Sequence, residues 1–269
     1  MNEDLAPPAA AFFDLDRTII SGSSVFTFGY VAYTHGMLPR GELLRDLASA
    51  VAFKFTGASD EKSEAVKNRI LESITGTRVE DLRHLGDEII PRLLDGVRRE
   101  ARGLIDLHHD AGRDTYIVSA SPIEIITDFA AAVGMTGALG TVAEVVDGTY
   151  TGELAEPFCY GEGKAIAIRK LAAEKEYDLA LCYAYSDSGS DLPMLETVGH
   201  PVAVNPDSAL ETVAYHRGWP IVEFSRTRKR VITRTSAAAG AAGVALATYL
   251  FGRHHGRASA PSRAFRLRS

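Results

Sequence analysis

The chain has 269 residues, 46% hydrophobic and 24% charged, with 24 glycines and 11 prolines spread without a period; this excludes a mainly disordered, collagen-like or repeat architecture and suits one large domain or a domain with an insertion. Two cysteines, Cys159 and Cys182, are too few for a disulfide framework and point to a reducing compartment. Net charge is −6, but all 35 acidic residues precede Phe224, so residues 1–223 carry 19 Lys plus Arg and a balance of −16 while residues 224–269 carry +10, and an acidic body disfavours nucleic acid as a partner.

The opening MNEDLAPPAA is acidic and holds no basic region followed by an apolar one, so no secretory signal is expected and the body is expected in the cytoplasm. Residues 9–13 form an apolar run ending at Asp14, which reads as a buried strand with carboxylates at its C-terminal end. Apolar residues then recur at spacings of three and four in 25–33, 43–55, 65–74 and 82–94, predicting helices with no strand among them. A helix over 97–107 leads through Asp110-Ala111-Gly112 to a strand over 115–118 that ends in Ser119. A helix over 122–133 follows, with proline in its first turn, and 142–154 reads as a β-hairpin pivoting on Asp147-Gly148. Helix 163–175, strand 179–185, helix 192–198, strand 201–204, helix 208–216 and strand 221–223 complete the body. Alternating strands and helices predict an α/β fold with a doubly wound, mainly parallel sheet that binds ligands at the carboxyl ends of its strands. The domain reading is a core of 9–20 and 95–223, an inserted helical cap of 21–94 and a tail of 224–269.

Three predicted strand ends carry polar groups in order: Asp14-Leu15-Asp16-Arg17-Thr18, then Ser119-Ala120-Ser121, then Asp187 with Asp191. Lys164 stands at a helix start in Gly161-Glu162-Gly163-Lys164, where a cation opposes the helix dipole unless it has another role. If the strands are neighbours, these groups converge. Paired carboxylates from two strands make an oxygen-rich site suited to Mg²⁺. A hard cation, a lysine and a serine hydroxyl are what a phosphoryl group needs for binding and for neutralisation of charge during transfer. One aspartate is then left to attack phosphorus.

On these motifs the chain resembles the haloacid dehalogenase superfamily phosphatases, in particular their phosphoserine phosphatase-like branch, subfamily IB, over roughly residues 9–223. The pattern hhhDxDxT matches Phe12-Phe13-Asp14-Leu15-Asp16-Arg17-Thr18, with a leading apolar residue before it. Tyr116-Ile117-Val118-Ser119 matches the serine motif, Lys164 the lysine motif, and Ser186-Asp187-Ser188-Gly189-Ser190-Asp191 the acidic motif. The resemblance implies that Asp14 is the nucleophile and a Mg²⁺ ligand. It makes Asp16 the acid and base, with its backbone carbonyl on the metal, and Asp187 the third protein ligand. Ser119, Ala120 and Lys164 would bind phosphate, Asp191 would orient Lys164 or the metal shell, Thr18 would brace the loop, and Ser190 would support it.

Two positions depart from the resemblance. Phosphoserine phosphatases carry an acidic residue nine positions after the nucleophile, meeting the substrate ammonium, and here that position is Ser23 in the carboxylate-free Ser21-Gly22-Ser23-Ser24. An ammonium would lack its charge partner, which argues against strict phosphoserine specificity. Ser190 stands where the related enzymes have asparagine.

His108-His109 and His254-His255 lack the companions of a metal site, and Cys159 and Cys182 read as packing residues. Phe26, Phe28, Tyr30 and Tyr33 either line the substrate side of the cap or form its core. In the tail, residues 235–251 are 17 residues without a charge, flanked by Arg226, Arg228, Lys229, Arg230 and Arg234 and by Arg253 and Arg257. As a helix the segment would span about 26 Å against a hydrocarbon core of roughly 30 Å, so it could cross a membrane, lie on an anionic surface or pack on protein. The functional expectation is a Mg²⁺-dependent phosphomonoester phosphatase working through an aspartyl-phosphate on a small phosphorylated metabolite or lipid-like phosphate, with membrane association through 226–257. The alternatives are a phosphotransferase of the same chemistry and a noncatalytic, membrane-tethered phosphate-binding protein.

Overall fold

A strand buried on both faces is a near-continuous apolar run, and β1 (Ala10–Asp14), apolar up to its final aspartate, is buried at every residue. It sits in the middle of a six-stranded sheet of order β3-β2-β1-β6-β7-β8. Its neighbours are β2 (Asp114–Pro122) and β6 (Tyr183–Ser186), both parallel to it, with Asp14 opposite Val118 and Phe13 opposite Tyr185. β3 (Gly137–Thr141), β7 (His200–Val204) and β8 (Ile221–Val222) extend the sheet outward, again in parallel. The computed structural model describes residues 8–36, 64, 67, 68, 71, 72 and 74–224. The chain divides into two compact units, Met1–Glu223 and Phe224–Ser269, and only Phe224 of the second is among the described residues.

Parallel neighbours need crossovers, and helices supply them. α1 (Ser24–Thr34), α2 (Val79–Asp95) and α3 (Arg99–Asp110) lie between β1 and β2, and α4 (Ile123–Val133) between β2 and β3. α5 (Glu162–Lys175) precedes β6, α6 (Leu192–Glu196) joins β6 to β7, and α7 (Ser208–Arg217) joins β7 to β8. Phe12, Tyr116 and Ala184 meet Ile168, Met194, Leu195 and Leu210 on one face. On the other, Phe13 stacks on Tyr185 at 4.5 Å between ring centroids, with the His108 ring edge-on to both. Each large apolar side chain withdrawn from water here contributes about 2–3 kcal/mol before chain entropy is charged against it. The strand order reverses between β1 and β6, which opens a crevice at their carboxyl ends. The architecture is the expected doubly wound α/β sheet.

Some elements differ from expectation. β3 was not predicted, because GALGT carries two glycines and little β-propensity. Packing explains the glycine at 140: a Cβ there would lie 2.7 Å from Ile126 Cδ1 and 2.9 Å from the Ser121 carbonyl oxygen. The expected strand 179–185 is a 3₁₀ turn at Leu179–Leu181, then β6, because the Asp178 carboxylate accepts the Ala180 N–H at 2.9 Å and caps the turn. The expected helix 43–55 lies outside the described residues, as does part of 65–74. The hairpin is as expected, β4 (Ala143–Val146) and β5 (Thr149–Leu154) turning through Asp147 and Gly148 at φ 49 and 76.

Backbone bonds join the segments flanking residues 21–94. Ser21 N–H donates to the Gly96 carbonyl at 2.8 Å and Arg98 N–H to the Ile19 carbonyl at 2.9 Å. Further along, Gly76 N–H donates to Tyr150 O and Val79 N–H to Gly148 O, fixing the start of α2 to the hairpin. No helix among the described residues is long and apolar enough to cross a membrane, and residues 235–251 lie outside them.

Candidate active site

Asp14 ends β1, and Lys164, the third residue of α5, reaches it across the crevice. Lys164 Nζ donates to Asp14 Oδ1 at 2.7 Å and to Asp191 Oδ2 at 2.8 Å. Ser186 Oγ donates to the same Asp191 oxygen at 2.7 Å. All four residues are buried. The helix start that delivers Lys164 depends on Gly163, where a Cβ would lie 1.8 Å from the Phe158 carbonyl oxygen. A cation at the positive end of a helix is unfavourable alone, and two carboxylates offset it.

Burial pushes Asp14 up to about 8; Lys164 pulls it down, and the charges of Asp191, Asp187 and Asp16 raise it further. Burial opposes the charge on Lys164, but Asp14 and Asp191 outweigh it and hold the ammonium above its ordinary value. Lys164 is therefore a fixed cation.

Asp16 lies in the tight loop after β1, where Arg17 adopts φ 63 and donates its N–H to the Gly22 carbonyl at 3.0 Å. Both carboxyl oxygens of Asp16 are held: Oδ2 accepts from Ser23 Oγ and Oδ1 from Ser24 N–H, each at 2.7 Å. Arg17 Nε reaches Asp187 Oδ2 at 3.0 Å. Thr18 is buried, but its hydroxyl has no hydrogen-bond partner among the described residues.

Ser119 Oγ accepts the Ser121 N–H at 3.2 Å and donates to Ser121 Oγ at 3.1 Å, while Thr141 Oγ1 donates to the Ala120 carbonyl at 2.7 Å. After β6, Gly189–Asp191 form a 3₁₀ turn whose N-terminal Ser188 accepts the Ser190 N–H. Ser190 Oγ lies 3.0 Å from Ser188 Oγ, so Ser190 shapes the loop. Asp14, Lys164 and Asp191 thus meet directly, while Asp16, Asp187 and Ser119 come from adjoining segments.

Among the described residues no three His, Cys, Asp or Glu side chains are grouped to hold a metal ion. The ligand set implied by the resemblance has two side chains, Asp14 and Asp187, and one backbone carbonyl, that of Asp16. Four carboxylates here face one lysine and one arginine, and the charges of Asp191, Asp187 and Asp16 add to the burial that raises Asp14. All-oxygen donors with excess negative charge fit Mg²⁺.

Sequence reasoning missed Asp207. Its Oδ1 accepts the Leu210 N–H at 2.8 Å and caps α7, its Oδ2 accepts the Gly189 N–H at 3.1 Å, and its own N–H donates to the Asp187 carbonyl at 2.8 Å. The signal was the capping residue in Asn205-Pro206-Asp207-Ser208. The histidine pair is committed elsewhere: His108 Nε2 lies 2.8 Å from Tyr185 Oη and Nδ1 accepts from Arg113 Nε at 2.7 Å, while His109 Nε2 lies 2.8 Å from Thr115 Oγ1. His254 and His255 lie outside the described residues. Both cysteines are buried free thiols, and burial pushes Cys159 up to about 12. On α1, Phe26 and Tyr30 are exposed and Phe28 and Tyr33 half-buried.

Residues 11–196 match the family model described as haloacid dehalogenase-like hydrolase. The chain is 43% identical over 233 residues to a probable phosphatase of Mycobacterium tuberculosis (strain ATCC 25618 / H37Rv), covering 85% of this chain and 81% of that one. It is 40% identical over 252 residues to a phosphoserine phosphatase of the same strain, covering 91% and 82%. A crystal structure of a protein with unknown function from Bordetella pertussis Tohama I shares the fold, with a TM-score of 0.70 at 24% identity over 81% of this chain and 99% of that one.

Proposed function

The chain belongs to the haloacid dehalogenase-like hydrolase family and is a phosphatase, and from that premise we propose a Mg²⁺-dependent phosphomonoester hydrolase acting through an aspartyl-phosphate on Asp14. The observation that carries this reading is the buried contact of Lys164 with both Asp14 and Asp191. It aims one carboxylate at the crevice beside a fixed cation.

Lys164 holds Asp14 Oδ1, which leaves Oδ2 to attack phosphorus. The new bond joins Asp14 to phosphorus, the bond from phosphorus to the substrate oxygen breaks, and Asp16 gives that oxygen its proton. Ionised Asp16 then takes a proton from water, whose oxygen attacks phosphorus and displaces Asp14. Lys164, the Ser119 hydroxyl and the Ala120 N–H bind the phosphoryl oxygens, and Asp191 holds Lys164 in place. Mg²⁺, held by Asp14, Asp187 and the Asp16 carbonyl, would neutralise charge on the phosphoryl group when bound.

Residues 21–94 act as the cap, and Phe26 and Tyr30, exposed on α1, would supply its apolar contact to the leaving group. The substrate is a small phosphorylated metabolite or lipid-like phosphate. Ser23 offers no carboxylate to a substrate ammonium, so phosphoserine is not the preferred member of that class. The body works in the cytoplasm, and the basic residues of 226–257 draw it to an anionic membrane surface. Sedimentation of the full chain with anionic vesicles at low salt, and its release at high salt, tests that attachment.

The deciding experiment is phosphate release from a panel of phosphomonoesters, including phosphoserine and lysophospholipid phosphates, with Mg²⁺ or EDTA, for wild type and Asp14→Asn. Turnover that requires both Mg²⁺ and Asp14 supports the reading, and turnover by Asp14→Asn at the wild-type rate overturns it. Added alcohol acceptors report any transfer to groups other than water.

A further inference from the structure

Ser23 is the residue before α1, the position where serine ordinarily turns its hydroxyl back to accept an amide of the helix's first turn. Here it makes no such bond. Its Oγ donates instead to Asp16 Oδ2 at 2.7 Å, and it is Asp16 Oδ1 that accepts the Ser24 N–H, the first amide of the helix, at 2.7 Å. The capping task has passed from the serine to the carboxylate, which frees the serine hydroxyl to act on Asp16.

We propose that Ser23 is a positioning residue for Asp16, holding its carboxyl group in the orientation needed to protonate the leaving oxygen. The inference rests on the role given to Asp16 above. An amide can only donate, so the Ser24 N–H occupies Oδ1 as a fixed donor and a proton on Asp16 belongs on Oδ2. The partner at Oδ2 must tolerate both the protonated and the ionised group. A hydroxyl does so because it can donate to a lone pair of Oδ2 or rotate and accept from it. The carboxyl plane therefore stays fixed through both half-reactions. Without the hydroxyl, Asp16 keeps one anchor and can rotate about it, and small misplacements of a reacting group cost large factors in rate.

The test compares kcat/KM, which reports the steps up to phosphoenzyme formation, for an alkyl phosphate and for p-nitrophenyl phosphate. The alkoxide leaving group needs a proton; p-nitrophenolate does not. Ser23→Ala is expected to lower kcat/KM for the alkyl phosphate by about tenfold or more, to change that for p-nitrophenyl phosphate by less than about twofold, and to be restored by Ser23→Thr. Because the serine makes no cap bond to α1, the alanine variant should keep the wild-type Tm to within about 2 °C. Equal falls for both substrates, or no fall for either, overturns the proposal. Asp16→Asn separates the two levels: if it turns over the alkyl phosphate like wild type, the role of Asp16 fails and this inference with it. If it is inactive while Ser23→Ala is unaffected, only the part given to Ser23 fails.

Discussion

Lys164 Nζ lies 2.7 Å from Asp14 Oδ1, between residues 150 positions apart in the chain, and both side chains are buried. Removing the ammonium leaves Asp14 and Asp191 as uncompensated buried carboxylates, a loss of about 3–5 kcal/mol when one partner of a buried pair is deleted. Lys164→Met is therefore expected to lower phosphatase activity by at least about 10²-fold and to lower the denaturant midpoint. Lys164→Arg keeps the charge but not the shape of a compact ammonium, and it should recover stability more than activity. Urea titration of both variants beside phosphate-release rates checks this; a methionine variant with wild-type rates would remove Lys164 from the site.

Asp207 joins α7 to the loop that carries Asp187 and Asp191, through one oxygen on Leu210 N–H and the other on Gly189 N–H. Asp207→Ala loses a helix cap worth about 1 kcal/mol, which for a domain of this size is about 2–4 °C in Tm. Its larger effect should be on the loop: the Mg²⁺ concentration for half-maximal activity is expected to rise several-fold. Asp207→Asn keeps an acceptor and should fall between. A Tm shift with no change in Mg²⁺ dependence would confine Asp207 to capping.

The central strand and the two carboxylates at its end were legible because a five-residue apolar run that stops at Asp14 has one structural meaning. The parallel sheet followed from alternation, and the place of Lys164 from its discord with the helix dipole. β3 was not legible, because Gly137 and Gly140 are chosen for what they pack against, Tyr116 and Ile126, and those neighbours are distant in sequence. The same reason hid the grip of Ser23 on Asp16. Its residue type says cap, and only the geometry shows which group its hydroxyl meets. Arg17 beside Asp187 is a third case, an unremarked residue inside DxDxT brought to the site by a left-handed backbone.

Metal binding should be visible without turnover. A cation that binds the folded chain alone raises stability by RT ln(1 + [L]/Kd), about 2.7 kcal/mol at one hundred times Kd. Mg²⁺ is expected to raise the Tm of wild type, and EDTA to reverse it. Asp187→Asn should diminish the rise. Ser190→Ala, which removes a hydroxyl that meets Ser188 rather than a carboxylate, should retain it. Equal Mg²⁺ responses in wild type and Asp187→Asn would exclude Asp187 as a ligand.

His108 gives the fold a pH dependence of defined sign. Burial, followed by the charges of Arg113 and His109, lowers it from 6.5 to about 4. The neutral ring accepts from Arg113 at Nδ1 and donates from Nε2 to Tyr185, which stacks on Phe13 next to Asp14. Because the folded value lies below the unfolded one, the unfolded chain binds more protons between them. The contribution of His108 is therefore complete above about pH 6.5 and is lost as pH falls toward about 4. Asp14, raised to about 8, works in the opposite direction over this range but is common to wild type and a variant without the ring, so the loss of Tm between pH 7.5 and 5 due to His108 is read as the difference between the two. His108→Gln has an amide in place of the ring and no titration in this window, so it should start lower and lose less over the same range. Parallel Tm profiles for the two proteins would show that the pH dependence arises elsewhere.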